Sequence, residues 1–178
     1  MTQETQNIMK DIKLEKVVLN MGVGKSGDAI ENAKKALDLI TDKKSCNRSA
    51  KKAQRDWGVR KGEPIGAAVT VRDDDAKVLL KRLFEAKGNR VNGRSFDKMG
   101  NVSFGILEHI DIPGIKYDPK IGILGLDVNV RLTRPGYNIG IRSKHKANIG
   151  KSHKITANES KEYPVSYTHL TLPTICSV

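Results

Sequence analysis

The residues of this chain best suited to chemistry gather in one short stretch, Gly22-Val23-Gly24-Lys25-Ser26-Gly27, where glycines surround a lysine and a hydroxyl. Glycine permits left-handed backbone and close approach of a bulky anion, and a neighbouring lysine adds a cation, so the chemistry on offer is phosphate binding. That phosphate belongs either to a nucleotide or to a nucleic-acid backbone. Gly24-Lys25-Ser26 resembles the end of a phosphate-binding loop, and GILGLD closing on Asp127 resembles an apolar strand bearing a magnesium-binding carboxylate. Together they describe a nucleotide hydrolase. The loop pattern needs another glycine five positions before Gly24, and Leu19 stands there, so a wrap around the phosphates would begin too late. The hydrolase is therefore the alternative reading and a polymer backbone the favoured one. No Ser/His/Asp or Cys/His arrangement and no paired carboxylates stand out elsewhere, and neither catalysis, a cofactor nor a metal is expected. His145 and His153 have no carboxylate or cysteine near them in sequence and are expected to face a polyanion or solvent.

Charge supports the polymer. The 178 residues hold 32 Lys plus Arg against 20 Asp plus Glu, a net charge of +12, which implies an anionic partner, most commonly nucleic acid. Two segments concentrate it. The run KKSCNRSAKKAQRDW carries Lys43, Lys44, Arg48, Lys51, Lys52 and Arg55 against Asp56 alone, and between Asp127 and Glu159 there is no acid while Arg131, Arg134, Arg142, Lys144, Lys146, Lys151 and Lys154 accumulate. Such one-sided segments repel themselves until a polyphosphate neutralises them. The candidate RNA contacts read from residue type are Gly22, Gly24, Lys25, Lys43, Lys44, Arg48, Lys51, Lys52, Arg55, Arg131 and Arg134. Aromatic residues are 4% of the chain and Trp57 is the one tryptophan, which argues against stacking unpaired bases on a row of rings.

These residues need elements to position them. Ile12, Leu14, Val17 and Leu19 among Lys13, Glu15 and Lys16 predict a strand running into the glycine turn. A helix from about Ala29 to Thr41 follows, with Ile30, Ala33, Leu37 and Ile40 on one face and Asp28 with Glu31 as a capping-box-like start. The basic run is expected as a loop or an irregular edge strand. Val59 and Ile65–Val71, on either side of Gly62-Glu63-Pro64, predict a hairpin whose tip projects Arg60 and Lys61. After Asp73-Asp74-Asp75, Val78, Leu79, Leu83 and Ala86 predict a second helix ending at Gly88. A loop carrying Arg90, Arg94 and Lys98 leads to a strand over Val102–Leu107. IGILGLDVNVRLT predicts the longest strand, with Leu124, Leu126, Val128, Val130 and Leu132 inward, Asp127, Asn129, Arg131 and Thr133 outward, and a bulge or twist near Gly122–Gly125. A sheet covered by helices on one side would leave that polar face open to RNA.

The length suits a single domain with its own core. Cys46 and Cys176 form no ligand spacing and suggest a reduced, cytoplasmic setting. No apolar run approaches ~20 residues and Met1–Asp11 lacks an apolar signal core, so neither a membrane span nor export is indicated. Residues 1–11 are expected to be a flexible N-terminus, 12–164 the domain, and 165–178, VSYTHLTLPTICSV, a non-native tail that resembles translated sequencing-adapter read-through.

KVVLNMGVGKSG, GVRKGEPIGAAVTVR, SFDKMGNVSFGILEHIDIPGIKYDP and IGILGLDVNVRLTRPGY, in that order, resemble the 5S-rRNA-binding ribosomal protein family numbered five in the large subunit. LEHIDIPGIKYDP and the basic region after RPGY are similar to its archaeal form. The resemblance implies an α+β fold, a curved antiparallel sheet with helices packed on one face. It also implies a structural place in the central protuberance, with 5S rRNA, large-subunit rRNA, peptidyl-site tRNA, a small-subunit protein at an inter-subunit bridge and other central-protuberance proteins as partners. By the same resemblance Asn20 and Thr70 match polar RNA contacts, and the loop Arg60, Lys61, Gly62, Glu63 and Pro64 matches the one facing tRNA. Lys43 departs from the family's usual glutamine: a lysine still reaches a phosphate but cannot accept a hydrogen bond.

Overall fold

A computed structural model describes residues 7–24, 27–97 and 99–168, with side chains placed as far as Tyr163. Strand β1 (Lys13–Gly22) is followed by helix α1 (Asp28–Thr41), the short strand β2 (Cys46–Ser49), strand β3 (Pro64–Arg72) and helix α2 (Asp73–Ala86). Strands β4 (Asn101–Ile106) and β5 (Leu126–Thr133), a single turn α3 (Asn138–Ile141) and helix α4 (Ala157–Thr168) complete the chain. The strands form one open antiparallel sheet in the order β2-β3-β1-β5-β4. This is the expected α+β single domain.

Period-two alternation decides which side of the sheet meets the helices. Val17, Leu19 and Met21 of β1, Ala67, Val69 and Val71 of β3, Val102, Phe104 and Ile106 of β4, and Val128, Val130 and Leu132 of β5 are all buried in one core. Helix α1 brings Ala33, Leu37 and Ile40 to it, and α2 brings Ala76, Leu79, Leu83 and Phe84. Phe84 stacks on Phe104 with ring centroids 5.3 Å apart. The register of β1 shifts between Leu14 and Lys16, so Glu15 is the extra residue of a bulge. That shift lets Leu14 and Val17, three apart, both point inward.

Several local expectations need correction. The cap of α1 is Gly27, at φ +100 and with no side-chain cap bond; Asp28 is already helical, so the Asp28–Glu31 capping box does not form. Val78 is 62% exposed, and Leu80 and Phe84 occupy the core in its place, because α2 starts at Asp73 and its inward stripe runs through Ala76, Leu80 and Leu83. Strand β5 starts only at Leu126, so β1 is the longest strand and Gly122–Gly125 is loop rather than bulge. The hairpin partner of β3 is β2, not Val59, which instead bridges Gln54.

The LEHIDIPGIKYDP segment is pinned by side chains. His109, 2% exposed, donates its backbone N–H to Leu124 O (3.0 Å) and accepts at Nδ1 from Leu124 N (3.3 Å). Arg82 of α2 donates to Pro113 O (3.0 Å). Residues Val165–Thr168 continue α4, and 169–178 lie outside the described residues.

Candidate nucleic-acid interface

Cross-strand partners share a face, so the registers assemble the side of the sheet that carries no helix. One row reads Cys46, Ala68, Asn20, Asp127, Gly105; the next reads Thr70, Val18, Asn129, Ser103; a third reads Arg72, Lys16, Arg131, Asn101. Asn20 and Thr70, far apart in sequence, thus stand in adjacent rows on neighbouring strands. Ser103 Oγ donates to Asn129 Oδ1 at 2.9 Å. In the third row the bulged Glu15 carboxylate gathers the cations: Arg131 Nε lies 2.9 Å from Oε2, and Arg72 and Lys16 each come within 3.9 Å of Oε1. Oε2 accepts no aligned hydrogen bond, so Glu15 holds these groups by charge rather than by a tight fork. Three cations against one acid leave this row positive.

The basic run lies at the opposite end of the strands from this row, where β3 begins. Ala50 N donates to Glu63 O (2.8 Å) and Gly62 N to Ala50 O (2.9 Å), closing residues 50–63 into a loop at the β2–β3 end of the sheet. Within the loop Gln54 and Val59 exchange backbone bonds of 2.8 and 3.0 Å around a 3-10 turn at Arg55–Trp57. The tip is therefore Trp57-Gly58. Arg60–Pro64 form the returning limb and base instead, with Arg60 N donating to Glu63 Oε2 at 2.9 Å. Lys44, Arg48, Lys51, Lys52, Arg55, Arg60 and Lys61 are all exposed, and among the described residues none of them forms a salt bridge. Lys43 is different: it pairs with Asp75 at 2.8 Å. Gly22 and Gly24 are exposed next to this loop, and Lys25 lies outside the described residues.

Arg134, expected among the RNA contacts, is instead 7% exposed and spends its donors inside the protein. Nε donates to Lys10 O (2.9 Å), one terminal nitrogen reaches His153 O and Lys154 O (3.4 Å each), and the other meets Glu159 Oε1 at 2.8 Å. The reason is a clamp that the acid-free segment builds for itself. Tyr137 Oη accepts from Ile155 N at 2.8 Å, His153 Nε2 bonds Pro135 O at 2.8 Å, and Ile155 is 1% exposed in the core. His153 is thus half-buried structure rather than polyanion-facing, whereas His145 is exposed. Thr156 N donates to Glu159 Oε2 (2.8 Å) while Glu159 N approaches Thr156 Oγ1 (3.4 Å), a reciprocal cap on α4. The Thr156 N–H, and after it Arg134, hold the Glu159 carboxyl below its ordinary value.

The chain is similar in sequence to known proteins over most of its length. The family model for the C-terminal part of the ribosomal protein L5 family matches residues 64–159, and that described as ribosomal protein L5 matches residues 7–60. The large ribosomal subunit protein uL5 of Nitrosopumilus maritimus is 70% identical over 165 residues, spanning 93% of this chain and 95% of that protein. Its counterpart in Cenarchaeum symbiosum is 68% identical over 157 residues (88% and 93%), and that of Pyrobaculum aerophilum 48% identical over 155 residues (87% of each). The chain belongs to the uL5 family. It is accordingly a structural protein of the large ribosomal subunit and not an enzyme.

Membership in uL5 also sets aside the nucleotide-hydrolase reading, and the geometry says why the resemblance misleads. Val23 N and Gly24 N both donate to Ile65 O, at 3.0 and 2.9 Å, so these amides are committed to the sheet and cannot cradle a phosphate. Asp127 lies exposed on the open face, paired across to Asn20 and Gly105. Among the described residues no helix is long and apolar enough to cross a membrane. Two features of this uL5 chain escaped the sequence reading. Glu15 meets Arg131, Arg72 and Lys16 at the bulge, and Trp57 stands 78% exposed where an aromatic amid a basic run was the available signal.

Proposed function

We propose that this uL5 chain binds 5S rRNA and anchors it in the central protuberance, using the open face of the sheet together with the 50–63 loop. The observation that carries this reading is the assembly of Asn20, Thr70, Asn129 and Arg131 on one uncovered face, continuous with exposed cations that form no salt bridge among the described residues. Such a surface contacts RNA through phosphates and 2′-hydroxyls, with polar side chains adding selectivity. Lys43 is held by Asp75 and contributes at most through a phosphate that displaces that carboxylate. The exposed limb Arg60–Pro64 approaches peptidyl-site tRNA, and neighbouring surfaces meet large-subunit rRNA, other central-protuberance proteins and a small-subunit protein across the interface. The work is done on the cytoplasmic ribosome.

The test is a gel-shift titration of 5S rRNA against an unrelated RNA of equal length at several salt concentrations. The expected result is preferential binding whose logarithm falls linearly with the logarithm of salt, each neutralised phosphate contributing a slope of about 0.7 to 0.9. Equal affinity for both RNAs, or a flat salt response, would sink the reading.

A further inference from the structure

The 50–63 loop folds back toward the glycine turn and encloses an open groove of about 580 Å³, within the range of small-ligand sites. Its lining is mainly apolar: Val23, Val59 and Ile65, with the Trp57 ring at the margin. Gly22 and Gly24 leave one wall without side chains, and a Cβ added at either meets no atom within 4 Å. Lys51 and Lys52, both exposed, also line it, and Arg55 precedes Trp57 by two residues with Asp56 between them. An indole 78% exposed on a loop closed by the Gln54–Val59 pair is an aromatic face that the fold itself leaves to solvent.

We propose that this groove seats one unpaired nucleobase of a single-stranded RNA segment, stacked on Trp57 while Lys51 and Lys52 take the adjoining phosphates. This rests on the RNA-binding reading above and adds to it a base contact where backbone contact alone was expected. The cations decide the occupant. Apolar walls alone would accept a hydrophobic side chain equally well, but cations beside a flat aromatic face match a base with its own phosphates, and stacking on a single ring tolerates any base. The Gln54 side chain, which also lines the groove, supplies donors and an acceptor for a base edge.

Trp57 is the only tryptophan of the chain, so its emission reports on this groove alone. The probe is a short oligoadenylate, compared with the same strand annealed to oligouridylate at equal phosphate concentration. Saturable quenching by the single strand, with affinity about tenfold above that for the duplex, is expected. In filter binding, which needs no tryptophan, Trp57→Ala should bring the single strand down to the duplex level, and Trp57→Phe should largely restore the preference. Equal binding of the two forms, or unchanged emission with the single strand, overturns the proposal while 5S rRNA binding still stands. Failure to bind any RNA, 5S rRNA included, overturns both. Quenching by an acidic aromatic peptide but not by RNA, or by raising protein concentration alone, overturns it in favour of a protein partner or a second copy.

Discussion

Replacing Arg134 with alanine separates two roles that its sequence context cannot distinguish. A phosphate-contacting arginine contributes to RNA affinity and little to folding; a clamp does the reverse. Truncation would strip the Lys10 carbonyl and the Glu159 carboxylate of donors at 2.9 and 2.8 Å and open a space beside the buried Tyr137 and Ile155. Removing one partner of a fully buried charge pair costs about 3–5 kcal/mol. Because the Glu159 side chain is 39% exposed, water recovers part of this, and a loss of about 2–3 kcal/mol is the appropriate expectation. For a chain of this size that is a fall in thermal midpoint of about 4–12 °C. Far-UV circular dichroism during a thermal ramp measures it, and filter binding of 5S rRNA well below the transition should stay near the wild-type value. Arg134→Lys should recover little, since a point charge cannot serve Lys10 O and Glu159 at once. An unchanged midpoint with weakened RNA binding would refute the clamp.

Changing Lys51, Lys52 and Arg55 together to alanine should weaken RNA binding and lower the log-log salt slope by about two to three, with the thermal midpoint nearly unchanged because all three are exposed; a binding titration beside a thermal ramp checks both. Gly66→Ala should destabilise by about 1–3 kcal/mol in a denaturant titration, since an added Cβ would lie 2.6 Å from Met21 O, a backbone atom that cannot swing aside. Glu159 is depressed below its ordinary 4.5. Its stabilising contribution is therefore present above that value and lost as pH falls through the lower folded one, so Glu159→Gln should flatten the acid limb of the stability curve. An acid limb identical to wild type would contradict this.

Much of the fold was legible because burial in a sheet follows a period of two and in a helix a period of 3.6. The inward set Leu126, Val128, Val130 and Leu132 could be read directly, as could Ile30, Ala33, Leu37 and Ile40 of α1. What escaped were features decided by distant partners. The turn cluster Gly62-Glu63-Pro64 suggests a hairpin with Val59, yet β3 pairs with β2 over Cys46–Ser49, with a register shift between Arg48 and Ser49, while Gln54 and Val59 close on each other. Capping boxes show the same limit. Asp28 and Glu31 have the right spacing, but Gly27 at φ +100 takes the cap position; Thr156 and Glu159 have it too, and there the box forms. Spacing proposes a cap, and the φ/ψ of the preceding residue decides it.

The same limit governs which cations are free. Arg131, Arg134 and Lys43 looked equivalent to Lys51 or Arg55 as surplus charge, because the acids that meet them are Glu15, Glu159 and Asp75, each remote in sequence or hidden by a bulge. Once folded they fall into three kinds. Arg134 is consumed by the clamp, Arg131 is aimed across the open face by Glu15, and the cations of residues 44–61 form no salt bridge among the described residues. A carboxylate beside an RNA-facing arginine lowers the local charge, yet it also removes the entropy of a long side chain before RNA arrives. Glu15 therefore favours a fixed guanidinium position over maximum attraction, which suits the face on which the proposed RNA contacts Asn20 and Thr70 stand. In the function proposed above, the basic loop supplies the sequence-independent grip. On that proposal one sheet divides its work between a face that orients and an edge that attracts.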